Sequence, residues 1–239
     1  MFKYYKLTTE QLGSYRDEGY LVIRNTIDAT TTRKCREDVL NIVHTIGLGE
    51  SKLRQTTQYL AGSGLDELVN SERLKSAGGQ LMGGEACLFM PFTAVKSAGG
   101  GGQFHFHQDN QYTEFDGPGV NFWFALDKMT EANGCLWIAP RSHLHGTLPA
   151  VPSPDGDQHK TVVEVPKDAI PILMNPGDCV AFSRLTVHGS GANTTDDHRV
   201  AYAVQFHRSD VRARRPGEEW TLLKDHPRWE VGPVEVIKN

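Results

Sequence analysis

The distribution of apolar residues changes character near residue 85. Beyond it, apolar positions alternate with polar ones or form short unbroken runs, and both patterns are typical of β-strands. These runs are rich in aromatic and β-branched residues and are bounded by Gly, Pro, Asn or Asp, which favour turns. The predicted strands cover residues 86–92, 103–109, 120–127, 135–139, 161–165, 178–183 and 199–207. Short strands at this spacing favour an antiparallel sandwich or a small barrel.

Before that point, apolar residues recur mainly at helical spacing. Thr8, followed three residues later by Gln11, resembles a capping box, and Gly19 is suited to ending the first helix. A short strand is predicted over residues 20–24, and Asp28 is expected to cap a second helix. Two segments are expected to cover a site as loops or lids, namely residues 47–84, with a short helix over 66–74, and the Pro-rich residues 148–160.

Length and charge narrow the class of protein. A chain of 239 residues fits one domain, with a helical part at about 1–80, a β core at about 85–208 and a tail at 209–239. The formal net charge of −4 argues against nucleic acid as a partner. The sequence has no apolar run of membrane-spanning length and no secretory pattern at its start, so no membrane and a cytoplasmic location are expected. The four scattered cysteines indicate reduced thiols.

A cluster of metal-ligand residue types lies in the predicted strand 103–109, which reads Q-F-H-F-H-Q-D. Because alternate side chains of a strand share a face, Gln103, His105, His107 and Asp109 are expected on one side. His188 follows His107 by 81 residues, before a glycine-rich turn. Two histidines and one carboxylate form the facial triad of non-haem Fe(II) oxygenases. The alternative is a set of ordinary structural histidines and an HxD pattern that arose by chance.

Arg199 follows His188 by eleven residues and opens an apolar strand. Period two places Arg199, Ala201, Ala203 and Gln205 on one face of that strand. A guanidinium beside two alanines suggests a cavity that holds an anion, because the guanidinium fork binds a carboxylate with two hydrogen bonds. The alternative is an arginine held in a structural salt bridge.

Taken in order, these motifs resemble the phytanoyl-CoA dioxygenase (PhyH) family. The resemblance covers roughly residues 7–208. It rests on the N-terminal LTTEQL and EGYLVI, His107-Gln-Asp109, the segment NGCLWIAPRSH ending at His143, Pro176-Gly-Asp178, His188-Gly-Ser-Gly-Ala-Asn193 and Arg199. One departure is Arg141, which stands where the family usually has glycine in a P-G-S-H turn, and we expect it to alter that turn.

The resemblance implies a mainly β protein with flanking helices, built on a double-stranded β-helix core (jelly-roll, cupin-like) of two facing sheets. It also implies a dioxygenase that uses Fe(II), 2-oxoglutarate and O2 to hydroxylate or otherwise oxidise a small molecule, releasing succinate and CO2. Asp109 favours hydroxylation or desaturation, because related halogenases replace this carboxylate with a small residue.

The resemblance further assigns roles to individual residues. By the family pattern, His107, Asp109 and His188 bind iron, and Arg199 and Ser190 hold the distal carboxylate of 2-oxoglutarate. The other residues expected at the cosubstrate are Trp123, Asn121 on the same strand face, and Gln108 of the HQD motif. The candidates for substrate contact are Gln103, His105, Gln205 and Tyr112, which suggest a polar small molecule.

Two other functions use the same ligands. One is a metal-dependent cupin-like isomerase or hydrolase that does not use 2-oxoglutarate. Arg199 and Ser190 argue against it. The other is a catalytically inactive metal-binding protein of the same fold, against which the intact ligand set argues.

Overall fold

Helices and two antiparallel sheets make up most of the computed structural model, which describes residues 2–3, 6–48, 52–111, 113–155, 159–215, 217–225 and 233–234. The helices are α1 (Thr9–Glu18), α2 (Ala29–Thr45), α3 (Gly64–Val69) and α4 (Glu72–Met82), with short 3-10 helices at Ser142–His145 and Leu223–Asp225. None of the helices in these ranges is both long and apolar enough to cross a bilayer.

The strands follow mainly after α4. They are β1 (Tyr20–Ile23), β2 (Leu53–Arg54), β3 (Tyr59–Leu60), β4 (Ala86–Lys96), β5 (Phe104–His107), β6 (Glu114–Phe115), β7 (Gly119–Ala125), β8 (Leu136–Ile138), β9 (Ala150–Pro152), β10 (Lys160–Val162), β11 (Ile170–Ile172), β12 (Cys179–Ser183), β13 (His188–Ser190), β14 (Arg199–Arg208), β15 (Arg212–Arg214), β16 (Thr221–Leu222) and β17 (Pro233–Val234). The large sheet has the order β1-β12-β7-β14-β4-β2 and the small sheet the order β11-β8-β13-β5.

The predicted helix caps are confirmed. The Thr8 side chain and Gln11 form the capping box of α1, Gly19 ends that helix in a left-handed conformation, and Asp28 accepts two backbone N–H groups at the start of α2. The single helix predicted over 66–74 is wrong, because α3 ends before Ser71. The Ser71 hydroxyl then accepts the N–H of Leu74 and starts α4.

The large sheet is buried on both faces. Along β7, Phe122 and Phe124 pack against the helices, whereas Trp123 and Ala125 pack with residues of the small sheet. Strand β14 alternates in the same way, with Tyr202 among the residues that face the helices. The helices therefore cover one face of the large sheet, and the small sheet covers the other. This is the arrangement of a double-stranded β-helix with flanking helices, as predicted.

The alternation predicted for residues 103–109 holds for His107 and Asp109, which share one face, and is wrong for Gln103 and His105. In the pairing of β5 with β13, His107 lies opposite His188 and Phe104 lies opposite Ser190. The two pairs are three residues apart on β5 but two apart on β13, so β5 contains one extra residue. An irregularity of this kind adds a residue to one strand and re-aims its side chains. Consequently Phe104, and not His105, shares the inner face with His107.

Two segments have more regular structure than the sequence suggested. The Pro-rich residues 148–160 include β9, which pairs with β10, although residues 156–158 lie outside the described ranges. Residues 47–84 contain α3 and α4 in addition to two short strands. The predicted tail begins with β15, which joins β6, and Leu223 is buried beside it.

Arg141 was expected to alter its turn, but it adopts the left-handed backbone conformation that glycine favours there. Arg141 has φ of 65°, a left-handed conformation that costs a non-glycine residue about 1 kcal/mol. We expect Arg141→Gly to raise the free energy of unfolding by about 0.5–1 kcal/mol. Urea denaturation of the two proteins measures this change.

A matched control for this prediction is Arg33→Gly in α2, where φ is helical and Arg33 is exposed. Glycine within a helix should lower the free energy of unfolding by about 1 kcal/mol. Equal destabilisation by both substitutions would contradict the assignment of strain to Arg141.

Candidate metal centre

Three potential ligands converge at one end of the gap between the sheets. His107, Asp109 and His188 offer ligand atoms that all lie within 4.8 Å of one another. His107 and His188 are cross-strand partners on β5 and β13, with ring centroids 4.3 Å apart. Asp109 lies just beyond β5, and its Oδ1 is 3.6 Å from Nε2 of His188. The structure thus brings together the triad predicted from the sequence.

Hydrogen bonds orient both imidazoles for metal binding. Nδ1 of His107 donates to the carbonyl of His105 at 2.8 Å, and Nδ1 of His188 donates to the carbonyl of Thr186 at 2.9 Å. Each bond leaves the Nε2 lone pair available for a metal. Burial, together with the neighbouring His188, lowers the pKa of His107 to about 3. His107 is therefore neutral at neutral pH, which is the form that binds metal.

Two amides fix the Asp109 carboxylate. Its Oδ2 accepts a hydrogen bond from Nε2 of Gln205 at 3.0 Å and one from Nδ2 of Asn121 at 3.3 Å. The other oxygen, Oδ1, faces His188. Gln205 was predicted to contact substrate and Asn121 to contact cosubstrate. Both residues line the cavity, and their amides make these bonds to the predicted metal ligand. One carboxylate oxygen is thereby held while the other is directed at the metal position.

We expect Gln205→Met to weaken Fe(II) binding by about 10-fold, because loss of an outer hydrogen bond to a metal ligand typically costs 10–100-fold in affinity. Anaerobic Fe(II) titration of the purified protein measures the change. Gln58→Met is the matched control, since Gln58 lies at the exposed mouth of the cavity. Equal Fe(II) affinity in Gln205→Met and the unmodified protein would show that Asp109 does not need this bond.

Arg199 is a buried cation facing the same cavity. Its side chain is 2% exposed, one terminal nitrogen donates to the carbonyl of Ala94 at 3.0 Å, and Nε has no hydrogen-bond partner. The guanidinium lies 5.3 Å from the ring centroid of Trp123. No carboxylate in the described ranges forms an ion pair with it, and burial lowers its pKa to about 10. A buried cation in these surroundings is suited to binding an anion.

Lys96 is a second buried cation that the sequence analysis missed. It is fully buried opposite Arg199 in the sheet, and Nζ donates to the carbonyls of Gly102, Ser190 and Gly191. Burial and the nearby Arg199 lower its pKa to about 6. Lys96 thus ties β4 to the turn that carries Ser190. The only signal in the sequence was a lysine that ends an apolar strand.

The remaining predicted cosubstrate residues are divided between the cavity and the surrounding loops. Ser190 and Trp123 line the cavity. The amide of Gln108 instead donates to the carbonyls of Gly146 and Leu185 and accepts the N–H of Leu148. Gln108 therefore fastens two loops beside the triad, and its polar atoms are all used there.

Two of the predicted substrate residues, Gln103 and His105, lie outside the cavity wall. Nε2 of His105 is 3.0 Å from Nε2 of Gln103 and 3.1 Å from Oδ2 of Asp155. Neither Gln103 nor His105 is among the described residues that line the cavity, because the irregularity in β5 turns them away. Tyr112 lies outside the described residues.

One cavity of about 650 Å³ connects the triad and Arg199, a volume typical of small-molecule sites. Its walls contain Phe104 and Phe182 near the histidines, and Phe89 and Phe92 farther along. Residues 55–58, between β2 and β3, form part of its rim. The cavity is thus large enough for a carboxylate cosubstrate and a second molecule.

Comparison with known proteins relates these features to a family. Residues 15–201 match the sequence profile of the phytanoyl-CoA dioxygenase (PhyH) family. The chain is 28% identical to methylphosphonate hydroxylase of Gimesia maris over 81% of this chain and 78% of that protein. It is 35% identical to a probable phytanoyl-CoA dioxygenase of Caenorhabditis elegans over 44% of this chain. That match spans only 36% of the relative's length.

Solved structures show the same fold. The epimerase SnoN from nogalamycin biosynthesis, in complex with Fe³⁺, α-ketoglutarate and nogalamycin RO, has a TM-score of 0.67 and 21% identity, covering 94% of this chain and 92% of that one. EvdO2 from Micromonospora carbonacea var. aurantiaca, complexed with 2-oxoglutarate, has a TM-score of 0.67 and 18% identity, covering 96% and 99%. With the profile match over most of its length, the chain belongs to the phytanoyl-CoA dioxygenase (PhyH) family.

Proposed function

We propose that this protein is an Fe(II)- and 2-oxoglutarate-dependent dioxygenase that hydroxylates a small molecule. The observation that carries the proposal is one cavity lined by both a two-histidine, one-carboxylate triad and a buried arginine without a protein carboxylate partner in the described ranges. Membership of the PhyH family supports it, as do neighbours of the same fold that bind Fe³⁺ and 2-oxoglutarate. Relatives are named for phosphonate and acyl-CoA substrates, so the substrate class has to be argued from the cavity.

The residues present fit these groups. Two imidazoles and a carboxylate suit Fe(II) and leave coordination positions open, so His107, Asp109 and His188 would hold the metal. The unpartnered Nε of Arg199 suits the distal carboxylate of 2-oxoglutarate, with Ser190 beside it. When bound, iron and 2-oxoglutarate supply an O2-dependent decarboxylation to succinate and CO2 that is coupled to oxidation of the substrate.

The protein's own contribution is orientation and exclusion of water. Gln205 and Asn121 fix the Asp109 carboxylate, and backbone carbonyls fix both histidines. The rings of Phe104 and Phe182 lie beside His107 and His188 and would limit access of water on that side of the metal. The Asp109 carboxylate also fills a position that a small residue would leave open to an anion such as chloride. For this reason we favour hydroxylation as the reaction.

We further propose that residues 1–239 act as one domain. The helices of the N-terminal part and the large sheet share a single apolar cluster. The β1 strand, which belongs to the N-terminal part, pairs with β12 of the core. A boundary between the two parts would expose this shared core.

An anaerobic optical titration tests the proposal. Adding Fe(II) and then 2-oxoglutarate should produce a weak visible charge-transfer band, because chelation of the metal by the cosubstrate creates it. A cupin-like isomerase or hydrolase that does not use 2-oxoglutarate would give no band. An inactive metal-binding protein would release no succinate in air, either alone or with any of a set of small molecules added as substrates. Either result would overturn the proposed function.

A further inference from the structure

Six of the described residues that line the cavity are Phe or Trp. Phe89 and Phe115 meet edge to face, with ring centroids 5.9 Å apart, and Phe104 meets His159 in the same manner at 4.8 Å. All four rings line the cavity, and Phe92 does so as well. Aromatic walls gain most from a partner that is apolar or itself aromatic.

Charge is scarce on the same walls. Among the described lining residues, Asp109 and Arg199 are the only Asp, Glu, Lys or Arg side chains. Both are already assigned, Asp109 to the metal and Arg199 to the cosubstrate carboxylate. Apart from the imidazole of His159, these walls therefore offer an ionised substrate no further counter-charge, and leaving water without one is costly.

Part of the cavity rim is formed by neutral hydrogen-bonding residues, at positions 55–58. The segment 55–58 is fastened to β4, because the N–H of Thr56 donates to the Thr93 hydroxyl and the N–H of Thr93 donates to the Thr56 carbonyl. This attachment places Gln55, Thr57 and Gln58 on the cavity. Amide and hydroxyl groups can hydrogen-bond to a hydroxyl or carbonyl of a substrate without a charge.

We propose that the substrate is an uncharged, mainly apolar molecule with an aromatic or similarly bulky body and hydroxyl or carbonyl groups. The inference rests on the proposed function and refines it, because it excludes phosphonates, carboxylates and ammonium compounds as preferred substrates. It also replaces the polar substrate expected from the sequence, whose candidate residues Gln103 and His105 lie outside the cavity wall.

Four probes that share a phenyl ring test the inference. These are 2-phenylethanol, 2-phenylethylamine, phenylacetate and benzylphosphonate, titrated calorimetrically into anaerobic protein saturated with Mn(II) and 2-oxoglutarate, so that Arg199 is occupied. We expect 2-phenylethanol to bind at least ~10-fold more tightly than each charged probe, since burial of an unpaired charge is costly. Equal or tighter binding of a charged probe, or no binding of 2-phenylethanol at millimolar concentration, would overturn the inference.

The same calorimeter separates this inference from the proposed function. Titration of 2-oxoglutarate into the Mn(II) protein without a probe tests the cosubstrate site by itself. If 2-oxoglutarate fails to bind, the proposed function fails. The four probes are then titrated into Arg199→Met, in which no unoccupied guanidinium can attract the anions, and their order still decides the character of the cavity.

A variant with an added cation provides a second test. Thr57→Lys places an ammonium at the exposed rim and should tighten benzylphosphonate binding about 2–5-fold, because an exposed ion pair becomes available. Ser14→Lys adds the same charge on the exposed face of α1 and should leave it unchanged. Equal effects of the two variants would mean that the lack of a cation on these walls is not what weakens benzylphosphonate binding, and the inference would fail.

Discussion

Asp109→Ala is expected to lose Fe(II) affinity by at least ~100-fold, because even an outer partner of a metal ligand is worth about 10–100-fold. Succinate formation from 2-oxoglutarate should fall to background with it. The carboxylate is a predicted ligand, and it is also the acceptor of both Gln205 and Asn121. Anaerobic Fe(II) titration and a succinate assay at saturating Fe(II) measure the two losses.

The matched control is Asp210→Ala, which removes a carboxylate that pairs with Arg208 on the surface. It should keep Fe(II) affinity and succinate formation, since exposed ion pairs contribute little. Melting temperatures of the two variants test whether both fold. Succinate formation at the unmodified rate in a folded Asp109→Ala variant would refute the assignment of Asp109 as an iron ligand.

Arg199→Met should change stability and cosubstrate binding in opposite directions. The KM for 2-oxoglutarate should rise about 100-fold, because a bidentate, charge-assisted pair is worth a few kcal/mol. Without cosubstrate, the free energy of unfolding of Arg199→Met should equal that of the unmodified protein or exceed it by about 1 kcal/mol, since an unpaired buried charge is removed. Steady-state kinetics and urea denaturation measure these effects. The KM of Arg199→Lys for 2-oxoglutarate should lie between those of the unmodified protein and Arg199→Met, because lysine retains the charge but not the planar fork.

The control is Arg36→Met, which should lower the stability slightly and leave cosubstrate binding unchanged. Arg36 pairs with Asp127 through a bond of 2.7 Å at the partly exposed surface. Its removal should lower the free energy of unfolding by less than about 1 kcal/mol and leave the 2-oxoglutarate KM unchanged. Were Arg199 a structural salt-bridge residue, Arg199→Met would instead destabilise the protein by about 3–5 kcal/mol without affecting that KM.

Both predictions use residues that the sequence analysis had singled out, whereas their surroundings came from the fold. The sequence indicated Asp109 by its spacing from His107, but the amides that hold its carboxylate lie on β7 and β14. Likewise the sequence indicated Arg199 at the start of an apolar strand. That its Nε has no hydrogen-bond partner is known only when the neighbouring strands are in place. Lys96 gave no distinct signal before β4 was paired with β14.

The sequence by itself determined the helix caps, most strands of the two facing sheets and the two-residue alternation of β7 and β14. These features depend on contacts within a few residues and on burial of one face, both of which leave a local pattern. The family motifs identified the triad and Arg199 in the same way, as residue types at fixed spacing.

Only the tertiary structure decided which side chains of residues 103–109 face the cavity, because the extra residue in β5 depends on its pairing with β13. It also decided the chemistry of the cavity. Its aromatic walls come from strands that are far apart along the chain, so no local window of the sequence contains them. Sequence patterns record local geometry, and a site assembled from paired strands depends on a register that no single strand specifies.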